Sequence, residues 1–233
     1  MNTKIYIAHI RNGKEYQLLE EHLSGTSKLA SQFASKFHYG DWGRLLGLWH
    51  DIGKYSESFQ QYSRQKSGLI EEEEIFGKVD HSSAGAIYAK EVLGKFGIPL
   101  AYCIAGHHTG LLNWNNEIGL SGNMIDRLQK ESLNNIRTNI KEKVASIESQ
   151  LTIHKPFKEE EIHVWIRMLY SCLVDADYLD TERFMSPETF EKRGHFTSIK
   201  LLKEQFDTYM SSLKISATPS FINKQREEIL IAC

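Results

Sequence analysis

The chain has 233 residues, a formal net charge of -2, 41% hydrophobic and 25% charged residues, enough apolar mass to close a substantial core around one large domain. Its near-neutral balance excludes a protein that gathers nucleic acid by bulk charge, so any polyanion site must come from a local cluster or from bound metal. Three cysteines without a Cys-x-x-Cys pair, no signal pattern at the start and no apolar run of membrane length predict a soluble cytoplasmic protein with Cys103 and Cys172 as small buried thiols.

Along the chain, Lys4-Ile5-Tyr6-Ile7-Ala8-His9-Ile10 alternates weakly and Arg11-Asn12-Gly13-Lys14 carries an Asn-Gly turn signal. A short hairpin returning through residues 15–18 is expected. Nearly everything after it reads as helix. Leu19, His22, Thr26, Leu29, Phe33 and Phe37 recur at three- and four-residue steps, giving one face that includes His22. Asp41 is the expected cap of a second helix through Leu45, Leu46, Leu48, Trp49 and Ile52, which Gly53 closes, and residues 56–64 suit a short third. The run Glu71-Glu72-Glu73-Glu74 reads as a solvated loop or helix face. Asp80 is the expected cap of a helix through Ala84, Tyr88, Val92 and Leu93, with His81 in its first turn.

Pro99 opens the next helix, where Leu100, Cys103, Ile104 and His107 share a side, and Gly110 suits its stop. Residues 121–150 read as a long polar helix or helix pair with little apolar stripe, with Arg127, Lys130, Arg137, Lys141 and Lys143 on a solvated face. Residues 159–184 form the most hydrophobic helix, with Ile162, Ile166, Leu169 and Leu173 on one side and Met168, Cys172, Asp175 and Leu179 on another. Apolar character on both sides predicts burial, with Asp175 pointing inward. Two further helices are expected around residues 199–213 and 221–232. The fold class is all-α with a short N-terminal β-hairpin.

His22, His50-Asp51, His81, His107-His108 and Asp175 fall at helix ends or on core-facing sides. Unpartnered imidazoles and carboxylates there would be costly, and a divalent metal is the partner they have in common. No cysteine joins them, so a structural thiolate zinc site is excluded and a catalytic site for Mn, Fe, Co, Ni or Zn is favoured. Asp51 is the natural bridging ligand if two metals bind. A pair about 3.5–4 Å apart clamps the attacking and leaving oxygens of a phosphoryl displacement.

His50-Asp51 followed by Gly53-Lys54 resembles the signature of the HD phosphohydrolase superfamily. Together with Tyr6-Ile7-Ala8-His9, Glu21-His22-Leu23, Asp80-His81-Ser82, Gly106-His107-His108 and Asp175-Ala176-Asp177, in order over about residues 5–180, the chain resembles the HD nuclease domain of the CRISPR-associated nuclease-helicases of type I systems. The resemblance implies an HD-domain helical bundle and a metal-dependent nuclease that cleaves single-stranded DNA in CRISPR interference, an antiviral defence, by metal-activated water.

It further implies His22, His50, Asp51 and Asp175 as ligands of one metal and Asp51, His81, His107 and His108 as ligands of a second. The metal would be Mn, Ni, Co, Fe or Zn, with Mg admissible. Asp51 and Lys54 are the implied catalytic pair, with Lys54 on the scissile phosphate; its other reading is a cation at a helix end. Ser82 is an implied substrate contact, or a helix-start hydrogen bond. His9, His38, His154, His163 and His195 match no family ligand and read as structural or surface residues. Lys54, Arg64 and Lys66, with Trp114, Trp42 or Tyr55 for stacking, are the candidates for the strand's path.

The implied partners are single-stranded DNA, a helicase and an RNA-guided surveillance complex, with no membrane. The chain has no Gly-x-Gly-Lys-Thr phosphate loop, and residues 221–229 resemble the segment just before the helicase. The expected organisation is an HD nuclease domain at 1–215 and a linker or helix at 216–233 leading to an absent helicase domain, either excised or carried on a separate chain. Two rivals are an HD-type nucleotide or cyclic-nucleotide phosphohydrolase and a non-catalytic docking module stabilised by metal.

Overall fold

A computed structural model describes residues 4–69, 79–115, 122–144, 159–194 and 196–232. The acidic run at 71–74, His154 and His195 lie outside them. Strand β1 (Ile7–Arg11) pairs antiparallel with β2 (Glu15–Leu18). Asn12 and Gly13 take positive φ of 54° and 63°, the backbone that an Asn-Gly pair supplies at low steric cost. The outer edge of β1 is closed by a side chain. Buried Gln60 accepts from the Ile7 N–H (3.0 Å) and donates to the Ile7 carbonyl (2.9 Å) and to the Lys54 carbonyl (2.8 Å).

Helix α1 (Leu19–Ala34) follows directly, and Glu21 accepts from the Leu18 N–H (3.2 Å) as half of a capping box. It buries His22 along with Leu19, Leu23, Thr26, Ala30 and Ala34. Helix α2 (Gly40–Trp49) approaches α1 so closely that a Cβ on Gly47 would fall 2.4 Å from the Ser27 Cα. Trp42, Leu45, Leu46 and Trp49 enter the core from α2. Two expectations for α2 are corrected. Tyr39, not Asp41, holds the cap position, and Asp41 sits in the first turn, where a carboxylate still favours the helix dipole. The helix stops at Trp49, because Asp51 leaves helical geometry (φ -117°, ψ 16°) and residues Ile52–Tyr55 tighten into a 3-10 turn.

Helix α3 (Glu57–Lys66) is capped by Ser56, whose hydroxyl accepts from the Phe59 N–H at 3.3 Å. Helix α4 (Ser82–Leu93) starts one residue later than expected: His81 holds the cap position and is not in the first turn, while Asp80 just before it still accepts from the Ser83 N–H (3.2 Å) and hydroxyl (2.6 Å). Helix α5 (Ile98–Gly106) has Pro99 in its first turn, where a missing N–H costs nothing.

Residues 121–150 depart from expectation. Helices α6 (Met124–Leu128) and α7 (Arg137–Lys143) are short and separated by a 3-10 turn at Asn134–Ile136. An apolar stripe is present: Leu133, Ile136, Ile140 and Val144 recur at three- and four-residue steps and are buried, as is Met124. Residues 145–150 lie outside the described ones.

Helix α8 (Ile162–Met185) is buried on one side only. Trp165, Leu169, Cys172, Leu173 and Ala176 face the core, whereas Val164 and Met168 are about half exposed. Asp175 is exposed with them, since it stands roughly 200° around the helix from Leu173. Helix α9 (Pro187–Lys192) follows.

The chain divides into two compact units, Met1–Phe190 and Glu191–Cys233. The second holds α10 (Ile199–Ser216), capped by Ser198, and α11 (Phe221–Ala232), joined to it by Lys214 and Glu227 at 3.3 Å. Among the described residues no helix is long and apolar enough to cross a membrane. The first unit is an all-α bundle with a two-stranded hairpin, and its core surrounds one polar cluster.

Candidate metal centre

Five helices deliver this cluster, three of them from an end. Helix α1 brings His22, the end of α2 brings His50 and Asp51, the start of α4 brings His81, the end of α5 brings His107 and His108, and α8 brings Asp177. His22, His50 and Asp51 are fully buried. The 3-10 turn after Asp51 abuts His81: a Cβ on Gly53 would sit 2.1 Å from the His81 carbonyl oxygen. Glycine is therefore what lets the His-Asp turn and the second group of histidines meet.

In four of the imidazoles Nδ1 is already committed. It donates to Gly47 O from His50 (2.8 Å), to Ile104 O from His107 (2.6 Å), to Val79 O from His81 (3.3 Å) and to Asp180 Oδ2 from His22 (2.9 Å). Only Nε2 is left for a ligand or a further proton. All four Nε2 atoms turn toward Asp51. Its Oδ2 lies 3.4 Å from those of His22 and His50, and its Oδ1 lies 3.3 Å from that of His81 and 3.5 Å from that of His107.

Asp177 Oδ1 completes one side at 3.3 Å from His22 and 3.5 Å from His50. On the other side His108 Nε2 lies 2.9 Å from His81 Nε2. The result is two groups sharing Asp51, namely His22, His50, Asp51 and Asp177, and Asp51, His81, His107 and His108, with the ligand atoms of each within 4.8 Å of one another.

Asp51 Oδ1 and His107 Nε2 are buried without a hydrogen-bond partner in the described structure, and Asp51 Oδ2 meets only the Lys54 ammonium, 2.7 Å away and outside hydrogen-bond geometry. Buried polar atoms left without a hydrogen bond are expensive, and here four imidazole Nε2 atoms converge on one carboxylate. A divalent cation satisfies such a donor set, and imidazole with carboxylate suits first-row divalent metals. The residues present therefore fit a metal in each group.

Burial alone would raise the Asp51 carboxyl, but the Lys54 ammonium and the His50 charge hold it well below the usual carboxylate range. Lys54 Nζ stands 2.7 Å from Asp51 Oδ2, is itself buried, and also reaches the Ala8 carbonyl at 3.4 Å. For His22 and His50, burial is outweighed by the neighbouring carboxylates, which raise them to about 9 and about 10. His81 and His108 go the other way, lowered to about 4 chiefly by burial.

The structure brings together His22, His50, Asp51, Lys54, His81, His107 and His108 from the residues expected by sequence. It does not bring Asp175. The carboxylate beside His22 and His50 belongs to Asp177, which continues the core-facing side of α8 four residues after Leu173; that phase was the available signal. Asp180 was also missed. Ser82 donates to Asp80 (3.3 Å) and accepts from Arg127 (3.1 Å) at the start of α4.

Two clefts meet at His81 and His108. One, of about 680 Å³, is lined by Lys54, Phe59, Tyr62 and Lys66 among others. The other, of about 530 Å³, includes Asp80, Ser82, Arg127 and Lys130. Arg127 and the exposed Lys130 thus also line the cleft, tied to Asp80 at 3.0 and 2.5 Å. Trp42 and Tyr55 are core side chains, which removes them as stacking platforms, while Trp114 is exposed. His9 packs edge-on to His22 with ring centroids 4.7 Å apart, and His38 and His163 are exposed.

The chain matches the family described as "Cas3, HD domain" over residues 16–174. The matched span contains His22 through His108 and ends ahead of Asp177. No curated protein matches the chain.

Proposed function

The chain belongs to the Cas3 HD-domain family, whose chemistry is that of a metal-dependent nuclease in CRISPR systems, and on that premise we propose that it hydrolyses single-stranded DNA. The observation that carries the reading is the opposed arrangement of four Nε2 atoms about the two oxygens of Asp51. We assign His22, His50, Asp51 and Asp177 to one metal and Asp51, His81, His107 and His108 to a second. Mn, Ni, Co, Fe or Zn suits this set. When bound, such metals supply Lewis acidity toward a phosphoryl oxygen and a lowered pKa for water.

The protein's own groups do the rest. Asp51 faces both ligand groups, and the four Nδ1 hydrogen bonds hold the rings so that only Nε2 is offered. The Lys54 ammonium, between Asp51 and the larger cleft, is placed to neutralise a non-bridging phosphate oxygen as charge develops. Lys66 with Tyr62 in one cleft and Arg127 with Lys130 in the other supply cations and an aromatic ring for a strand that passes the centre. Both clefts fall within the roughly 300–1,000 Å³ of ligand sites. Few free cations line them, which suits a domain whose substrate is delivered by a helicase partner after an RNA-guided complex opens the target. Residues 216–233 read as the segment leading toward that helicase.

The test is cleavage of circular single-stranded DNA by metal-stripped protein after addition of Mn, Ni, Co, Zn or Mg, with Asp51→Ala beside it. Transition-metal-dependent cleavage that vanishes in Asp51→Ala is the expected result. A folded, metal-loaded protein that leaves the circle intact but hydrolyses a nucleotide would overturn the DNA assignment.

A further inference from the structure

We infer that Asp180 is the positioning residue that aims His22 at the metal. Among the four imidazoles whose Nε2 atoms face Asp51, three anchor Nδ1 on a backbone carbonyl, while His22 anchors it on a carboxylate. A backbone carbonyl is fixed by its helix or turn. Asp180 arrives from α8, 158 residues away in sequence, and must itself be held.

Besides a looser ion pair with Arg183 Nη1 at 3.9 Å, two features hold it. Gln17 Nε2 on β2 donates to the same Asp180 Oδ2 at 2.8 Å. Gly25, one turn along α1 from His22, leaves space for the carboxylate, since a Cβ there would lie 2.0 Å from Asp180 Oδ1. Asp180 is 4% exposed, so solvent does not share its acceptor capacity with these donors. A glycine inside a helix weakens it by about 1 kcal/mol relative to alanine, and here the missing methyl is the socket for the carboxylate. The arrangement does two things for a ligand. It locks the His22 ring with Nε2 toward Asp51 and Asp177, and it makes the imidazole a stronger electron donor than a carbonyl partner would. The inference rests on the reading of this cluster as a metal centre.

The experiment is a Co(II) titration of the stripped full chain, read by its visible ligand-field absorption and by competition with a chelator. It compares wild type, Asp180→Asn, Gly25→Ala and Asp175→Asn, with melting of each stripped protein in parallel. Asp180→Asn keeps an acceptor but not the charge. Gly25→Ala keeps the charge but displaces it. Each is expected to lose about 10- to 100-fold in Co(II) affinity and to shift the absorption bands, while the exposed Asp175→Asn matches wild type.

Wild-type affinity and spectrum in Asp180→Asn would overturn the positioning role and leave the metal centre standing. Failure of the wild type itself to bind Co(II) would remove both. If Asp180→Asn does not fold, Gly25→Ala decides: an unchanged affinity there overturns the inference, and a weakened one with a wild-type melting temperature supports it.

Discussion

Asp177 Oδ1 stands 3.3 Å from Nε2 of His22, although the two residues come from opposite ends of the bundle's sequence. Helix phase creates this meeting. Asp177 follows Leu173 by four residues on the buried side of α8, and Asp175 two residues earlier points to solvent. Asp177→Asn should weaken metal binding by at least about tenfold, the loss seen even for groups one layer out, and Asp175→Asn should leave it unchanged. Chelator competition on the stripped and reloaded proteins measures both. Equal losses in the two variants would refute this helix phase.

Lys54 stands against Asp51 as a cation stands against its counter-ion, 2.7 Å from Oδ2 and almost wholly buried. Lys54→Met should lower kcat by about 10²–10³-fold, the range for removing a donor aimed at developing charge. It should also destabilise the stripped protein, by up to about 3–5 kcal/mol, because the buried Asp51 loses its nearest cation. Added metal should restore most of that stability, which separates the two roles in one pair of melting curves.

The metal-free protein should respond to pH in the window set by His22 and His50. Burial would depress both, but Asp177, Asp180 and Asp51 around His22, and Asp51 and Asp177 around His50, raise them to about 9 and about 10. A histidine held above its unfolded value of about 6.5 contributes stability that is complete below that pH and is lost as pH rises through the folded value. His81 and His108, lowered to about 4, stay neutral across this range and do not offset it. The melting temperature of the stripped protein should therefore fall from pH 6.5 to pH 10. Metal takes the place of those protons, so its affinity should rise over the same interval. A flat melting profile would rule out the protonated pair.

Asp80 joins the start of α4 to the cleft. Burial would raise its carboxyl, but Lys130, Ser83 and Arg127 hold it far below the usual range. Asp80→Ala should cost about 0.5–2 kcal/mol as a lost capping hydrogen bond, and it frees Arg127 and Lys130 beside Ser82. Denaturant unfolding gives the first quantity. The second should appear as a changed Km for DNA with metal affinity retained, and a loss confined to metal binding would contradict the assignment of these cations to the cleft.

Much of the bundle was legible in the sequence because its signals are local. The Asn12-Gly13 reversal, the short helix after residue 56, the Asp80 carboxylate at the start of α4, Pro99 in a first turn and the apolar spacing of α1 each depend on residues within a few positions of one another. His22, His50, Asp51, His81, His107 and His108 could be nominated together because each stands at a helix end or on an apolar face, and because their order resembles a known family. What the tertiary structure decided was phase and distance. Asp175 and Asp177 are alike in sequence, and only the side of α8 that packs on α1 selects Asp177. Asp180 and Gly25 have no local signature, since a carboxylate finds its socket only when two helices 158 residues apart in His22-to-Asp180 separation lie side by side. The pairing of Arg127 and Lys130 with Asp80 likewise appears only once the fold sets them side by side. Periodicity reports which side of an element is apolar, but the partner of a buried polar group is fixed by long-range packing, and that packing places the charges around Asp51.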